Sequence, residues 1–264
     1  MSTVDRGDAQ VWWDEEGEGE PVLLIMGLGY PSDMWFRIWP ELATRYRVIR
    51  FDNRGTGRTG VPPGPYTVEL MADDAIAVLD AAGVERAHVI GASMGGLIAQ
   101  QVVATHPERV ASLGLVCTGA GGEHMAPADP EALAMMAARA TMPPEEAAEV
   151  AIPFVYASTT PRSRIDEDFE VRLRVPTPPE GYANQLMGVS GWQGVWDALA
   201  TISVPTLVLS GKADRLVNPE NATILAERIP GAQLVLLDDA SHVLMTDQPE
   251  ETTKHLLAFL DAVR

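Results

Sequence analysis

Apolar positions along the chain follow two alternating rhythms. Short, continuous apolar runs occupy residues 21–26, 47–51, 87–90, 110–116, 204–209 and 233–237, four of them closed by a Gly or Asp. Runs of this length suit β-strands covered on both faces. Between them the spacing changes to three and four. Met71, Ala75, Val78, Leu79 and Ala82 mark one amphipathic helix, stopped at Gly83. Leu97, Ile98, Gln101, Val102 and Thr105 mark a second, ending at His106-Pro107, and residues 219–229 and 249–263 mark two more. Strand, helix, strand in repetition predicts an α/β fold with a mostly parallel twisted sheet and right-handed crossovers. Val11-Trp12-Trp13 predicts an extra antiparallel edge strand.

Residues 119–203 break this rhythm. They contain no buried strand and are rich in Ala, Met, Pro and Glu, with helical pieces at 130–140, 144–157, 164–175 and 181–189. The pattern predicts a helical cap inserted before the last two strands, over a core formed by residues 1–118 and 204–264.

Composition narrows the class. Apolar residues make up 46% of the 264 and charged residues 21%, proportions that disfavour disorder and coiled coil. The longest apolar runs fall short of the ~18 residues of a membrane span. The acidic start, with Asp5, Asp8, Asp14, Glu15 and Glu16, is unlike a signal peptide, and the lone Cys117 cannot form an intrachain disulfide. Both features point to a reducing, cytoplasmic location. Nineteen Lys and Arg against 37 Asp and Glu give a net charge of −18, which repels nucleic acid and anionic lipid. The expected partner is a small molecule; oligomeric state is not legible.

The sharpest chemical signal is Gly91-Ala92-Ser93-Met94-Gly95-Gly96, between a predicted strand and a predicted helix. G-x-S-x-G in that context is a strained turn that lifts a serine hydroxyl to the strand's carboxyl edge. Of five histidines, His88, His106 and His255 lie in or beside regular elements and His124 lies in the insert. His242 alone follows the last strand at the same edge, which makes it the candidate base. Asp214, in the loop after residues 204–209, is the candidate carboxylate that orients it; Asp238 and Asp239 are rivals too close along one loop to turn back. Gly27 and Gly29 flank Leu28, whose N–H joins that of Met94 as a candidate oxyanion donor.

These residues resemble the α/β-hydrolase superfamily from Val22 to Val263: the turn at Ser93, the Gly211–Asp214 segment, Ser241-His242, and the Asp52–Thr59 loop match its pattern. They are most similar to small bacterial carboxylesterases and enol-lactone hydrolases. Met26-Gly27 stands where many of those carry His-Gly. The resemblance implies a cofactor-free, metal-free serine hydrolase that cleaves a carboxylic ester or lactone through an acyl-enzyme. It also implies that the Asp52–Thr59 loop is structural. Thioesterase, peptidase, carbon–carbon hydrolase and perhydrolase chemistry, and a non-catalytic receptor role, stay open, because fold does not fix function. In the insert, Met125, Met136, Phe154, Tyr156, Met187 and Trp192 are candidate substrate contacts, with Trp35 nearer the N-terminus. They predict an apolar pocket that favours hydrophobic or cyclic acyl groups over charged ones.

Overall fold

A computed structural model describes residues 2–264. The strands are β1 (Ser2–Asp5), β2 (Gln10–Glu16), β3 (Pro21–Ile25), β4 (Arg47–Phe51), β5 (Ala87–Ala92), β6 (Val110–Val116), β7 (Thr206–Gly211) and β8 (Gln233–Leu237). They form one sheet in the order β1-β2-β4-β3-β5-β6-β7-β8, antiparallel at β1, β2 and β4 and parallel from β4 onward. This is the expected α/β-hydrolase architecture.

Side chains alternate between the two sheet faces, as the strand period requires. Leu23, Ile25, Ile49 and Phe51 pack on one side with the helices α2 (Val68–Ala81) and α3 (Met94–Thr105). Val22, Leu24 and Val48 pack on the other with α1 (Trp39–Leu42) and α12 (Pro249–Ala262). Both faces are covered there, which is why these strands read as unbroken apolar runs; β8, expected to be covered on both faces, is instead an edge strand with Gln233 and Leu234 exposed.

Between β6 and β7 the chain forms α4 (Pro130–Arg139), α5 (Pro144–Glu149), α6 (Ile152–Val155), α7 (Arg162–Arg174), α8 (Pro179–Gly191) and α9 (Trp196–Leu199). After β7 come α10 (Glu220–Arg228) and α11 (Leu244–Asp247). No helix among the described residues is long and apolar enough to cross a membrane.

Three expectations shift. The helix expected at 144–157 is two, α5 and α6, because Pro153 has no N–H to continue the first. β7 begins at Thr206 rather than 204; Pro205 before it contributes only its carbonyl, which accepts from Leu113 N–H at 2.9 Å. The edge strand expected at Val11–Trp13 is the antiparallel but interior β2; the edge is β1, which has no apolar signature because three of its four residues are exposed.

The strand order reverses beside β3: β4 lies on one side of it and β5 on the other. Crevices at the carboxyl edge of such switch points are where open α/β sheets bind ligands.

Candidate active site

Ser93 follows β5 directly and precedes α3. Its backbone sits at φ 55°, ψ −119°, a region that side-chain-bearing residues rarely adopt. The turn is tight enough that a Cβ on Gly95 would collide with the Ile25 carbonyl. The conformation is held by Ser93 N–H donating to Val116 O (2.8 Å) and by the Thr118 hydroxyl donating to Ser93 O (2.8 Å).

His242 Nε2 lies 2.9 Å from Ser93 Oγ, and its Nδ1 lies 2.8 Å from Asp214 Oδ2. A carboxylate only accepts, so Nδ1 carries the hydrogen and Nε2 accepts from the Ser93 hydroxyl. The other Asp214 oxygen accepts from Leu216 N–H (2.8 Å) and Val217 N–H (2.9 Å), which fixes the carboxylate plane. Its side chain is fully buried. The two loops are tied together: Ala213 N–H donates to Ala240 O at 2.9 Å, and Ser241 Oγ to Ala213 O at 3.2 Å. A serine hydroxyl in this chain can pass its proton to the imidazole as it attacks a carbonyl, while the carboxylate balances the imidazolium.

Leu28 N–H has no acceptor among the described residues. Met94 opens α3, whose first amides have no carbonyl within the helix to accept them. Both residues line one cavity with Ser93 and His242. Gly27 permits the close approach, since a Cβ there would stand 3.0 Å from Ser93 Cβ. The neighbouring Gly29 N–H donates to Gln185 Oε1 (2.8 Å), and Gln185 Nε2 donates to Arg54 O (2.6 Å). One buried glutamine of α8 thus spans two core loops.

The cavity measures about 630 Å³ and is walled by α4, α8 and the loops at the strand ends. Met125, Met136 and Trp192 line it, with Leu186 and Val189. The other four candidate contacts lie elsewhere. Trp35 is wholly buried in the sheet core. Tyr156 is buried with its hydroxyl donating to Asp168 (3.0 Å). Phe154 packs half-buried beneath the Arg215 guanidinium, and Met187 is 60% exposed on the outer face of α8. In short helices covered on one side, aromatic and methionine content alone does not tell the inner face from the outer.

The remaining candidates separate from the site. His88 donates to or accepts from Ser112 Oγ at 2.8 Å, and burial pushes its pKa down. His124 stacks on Trp196 at 4.0 Å. Asp238 pairs with Lys212 (2.6 Å). Cys117 is buried behind the turn, and burial holds its thiol pKa well above the usual range, so it is a poor nucleophile. In the Asp52–Thr59 loop, Asp52 accepts from Ser32 N–H and Oγ, and Arg54 grips Asp74 and Asp8.

Asp247 went unnoticed in the sequence. Its carboxylate accepts from Ser241 N–H (2.6 Å), Ala157 N–H (3.2 Å) and Thr160 Oγ1 (2.5 Å), joining the His242 loop to the insert, and burial raises its pKa. Arg139 and Tyr182, both in the cavity wall, were also missed. Arg139 lies one turn beyond Met136 on α4, so helical spacing from a residue already singled out would have reached it.

The alpha/beta hydrolase fold family model matches residues 20–249, and the chain belongs to that family. A protein of Azorhizobium caulinodans, provisionally named carbamate hydrolase RutD, is 32% identical, covering 98% of each chain. A poly(3-hydroxyalkanoate) depolymerase of Ectopseudomonas oleovorans is 33% identical over 92% of this chain and 85% of its own. Among solved structures, a thermophilic esterase from Thermogutta terrifontis with malate bound superposes with a TM-score of 0.86 at 32% identity, covering 99% of this chain and 97% of that one. The enol-lactonase from Burkholderia xenovorans LB400 gives 0.86 at 27% identity, over 97% and 98%.

Proposed function

We propose that the protein hydrolyses a carboxylic ester or lactone through an acyl-enzyme on Ser93. The carrying observation is His242, which bridges Ser93 Oγ and Asp214 Oδ2 at 2.9 and 2.8 Å. Ser93 Oγ bonds to the carbonyl carbon as its proton moves to His242 Nε2. The N–H groups of Leu28 and Met94 hold the tetrahedral oxyanion. The carbon–alkoxide bond then breaks, the alkoxide takes the proton from His242, and the acyl group stays on Ser93. Water attacks next, its proton passing through His242, and the acid leaves. Residues 119–203 act as the cap over this site. Esterase, lactonase and depolymerase names among the relatives support ester cleavage, and a carbamate carbonyl would be open to the same attack.

The test pairs a nitrophenyl ester with a fluorophosphonate probe. Ser93→Ala is expected to lose roughly four orders of magnitude in kcat, because such groups act as a unit. The probe should add one covalent mass, at Ser93. Turnover close to normal by Ser93→Ala would overturn the mechanism. Absence of turnover and labelling in the unaltered protein would favour a non-catalytic ligand-binding role.

A further inference from the structure

Carboxylates outnumber basic residues almost two to one in this chain, 37 to 19. Of three buried arginines among the described residues, Arg54, 1% exposed, holds both Asp74 and Asp8. Arg139 does not. It is 5% exposed and lines the cavity, yet no carboxylate pairs with it among the described residues and its Nε has no acceptor. Its guanidinium rests over the Tyr182 ring, 4.8 Å from the centroid. The Tyr182 hydroxyl is likewise buried in the same wall without a partner. Burial pushes the Tyr182 pKa up, so the hydroxyl keeps its proton and can donate.

A cation with a buried, unpartnered Nε and a buried hydroxyl donor, neither with an acceptor among the described residues, are costly to leave unmatched. They become favourable together when something with charge and lone pairs sits between them. The planar fork of a guanidinium suits a carboxylate in particular. Behind them lies Arg172, 6% exposed, with its guanidinium 4.4 Å from the Tyr30 ring centroid and again no carboxylate partner among the described residues. It adds positive potential to the same wall. Glu123 is the one acidic residue lining the cavity, and its side chain is 89% exposed, so it does not neutralise Arg139.

We infer that Arg139 and Tyr182 form a subsite for a carboxylate carried by the substrate of the Ser93 site. The inference rests on the hydrolase reading and deepens it. The Tyr182 ring packs against Gly29, next to Leu28, so the subsite lies on the oxyanion-loop side of the cavity. The lining between is apolar, including Met136 and Leu186. The substrate class is accordingly an ester or lactone with a hydrocarbon segment between the scissile carbonyl and a free carboxylate. That reverses the preference against charged groups expected from the apolar content of the insert.

The experiment measures kcat/KM for monoethyl adipate and for its neutral monoamide isostere, and reads their ratio. The unaltered protein should favour the acid by about tenfold or more. Arg139→Gln should cut the ratio ~10- to 100-fold, the range of a charge-assisted hydrogen bond. Arg139→Lys should retain part of it, and Tyr182→Phe should lower it less. A ratio that Arg139→Gln leaves unaltered, or no preference in the unaltered protein, overturns the subsite. Should Arg139→Gln fail to melt cooperatively, Arg139→Lys and Tyr182→Phe carry the same test. Calorimetric titration of Ser93→Ala with adipate separates the two readings. Adipate binding that Arg139→Gln weakens supports the subsite even if Ser93 proves not to be the nucleophile. Ser93 labelling with no adipate binding leaves the hydrolase standing and removes the subsite.

Discussion

The two walls of the cavity are built on different terms. The sheet wall presents Ser93, His242 and Asp214 from the ends of β5, β8 and β7, and every polar atom in that chain has a partner. The insert wall comes from short helices and presents Met136, Arg139 and Tyr182, and two of these keep unsatisfied polar atoms. Satisfied groups on rigid strand ends are preset for one geometry, as bond-making needs. Unsatisfied groups on short helices store binding capacity for a ligand. On the proposed reading, chemistry and recognition fall to different parts of the chain, and variants of each should separate them.

Loss of Ser93 should be the largest effect, and Arg139→Gln should alter discrimination rather than the chemical step. Asp214→Asn sharpens the contrast within the sheet wall. Asparagine can keep Oδ1 on Leu216 and Val217 N–H, but places an amide where Oδ2 faces His242. The amide donates, so the imidazole flips its hydrogen to Nε2 and can no longer accept from Ser93. A loss of roughly 10²- to 10⁴-fold in kcat is expected, with the melting temperature little changed. Equal damage from Asp238→Asn would contradict the assignment.

Asp247 joins the two walls, and its removal tests whether they fold as one unit. Asp247→Ala strands two buried donors, the N–H groups of Ser241 and Ala157, and the half-buried Thr160 hydroxyl. The expected cost is about 2–4 kcal/mol by urea unfolding. If the walls were independent, activity would survive at temperatures where the insert has loosened. Coincident loss of activity and of near-ultraviolet circular dichroism would instead show them coupled through this carboxylate.

The sheet wall was legible in the sequence because its constraints are local. The turn at Ser93 needs glycines at fixed offsets, and Asp214 and His242 each follow an unmistakable apolar strand. The insert was not, for physical reasons that particular residues show. Met136 and Met187 both lie in helices of the insert, yet one lines the cavity and the other is 60% exposed. Which face of such a helix turns inward is set by tertiary packing, such as Gln185 reaching Gly29 and Arg54, over 156 and 131 residues of chain. Arg139 was hidden by its own context: one charge ending an Ala- and Met-rich helix looks like a solvated C-terminal residue that favours the helix dipole.

The smallest effect expected comes from comparing two buried imidazoles. His242 and His88 each meet a serine hydroxyl, at 2.9 and 2.8 Å, but only His242 has a fully buried carboxylate beside it. The nearest acid to His88 is Glu20, 3.6 Å away and half exposed. Burial is therefore the dominant influence on His88 and pushes its pKa below the usual value, with Glu20 opposing. An unfolded chain takes up the proton near pH 6.5, whereas the folded one refuses it until lower pH. The stability contributed by a neutral His88 is thus fully present above pH ~6.5 and declines as pH falls below it, by at most about 1.4 kcal/mol per pH unit for a single proton. His88→Asn should abolish that part of the slope. Urea midpoints at pH 7.5 and 5.5 measure it: the unaltered protein should lose more stability over that interval than the variant. Parallel losses would mean that folded His88 takes up its proton as readily as it does in the unfolded chain, with the serine hydroxyl and Glu20 offsetting its burial.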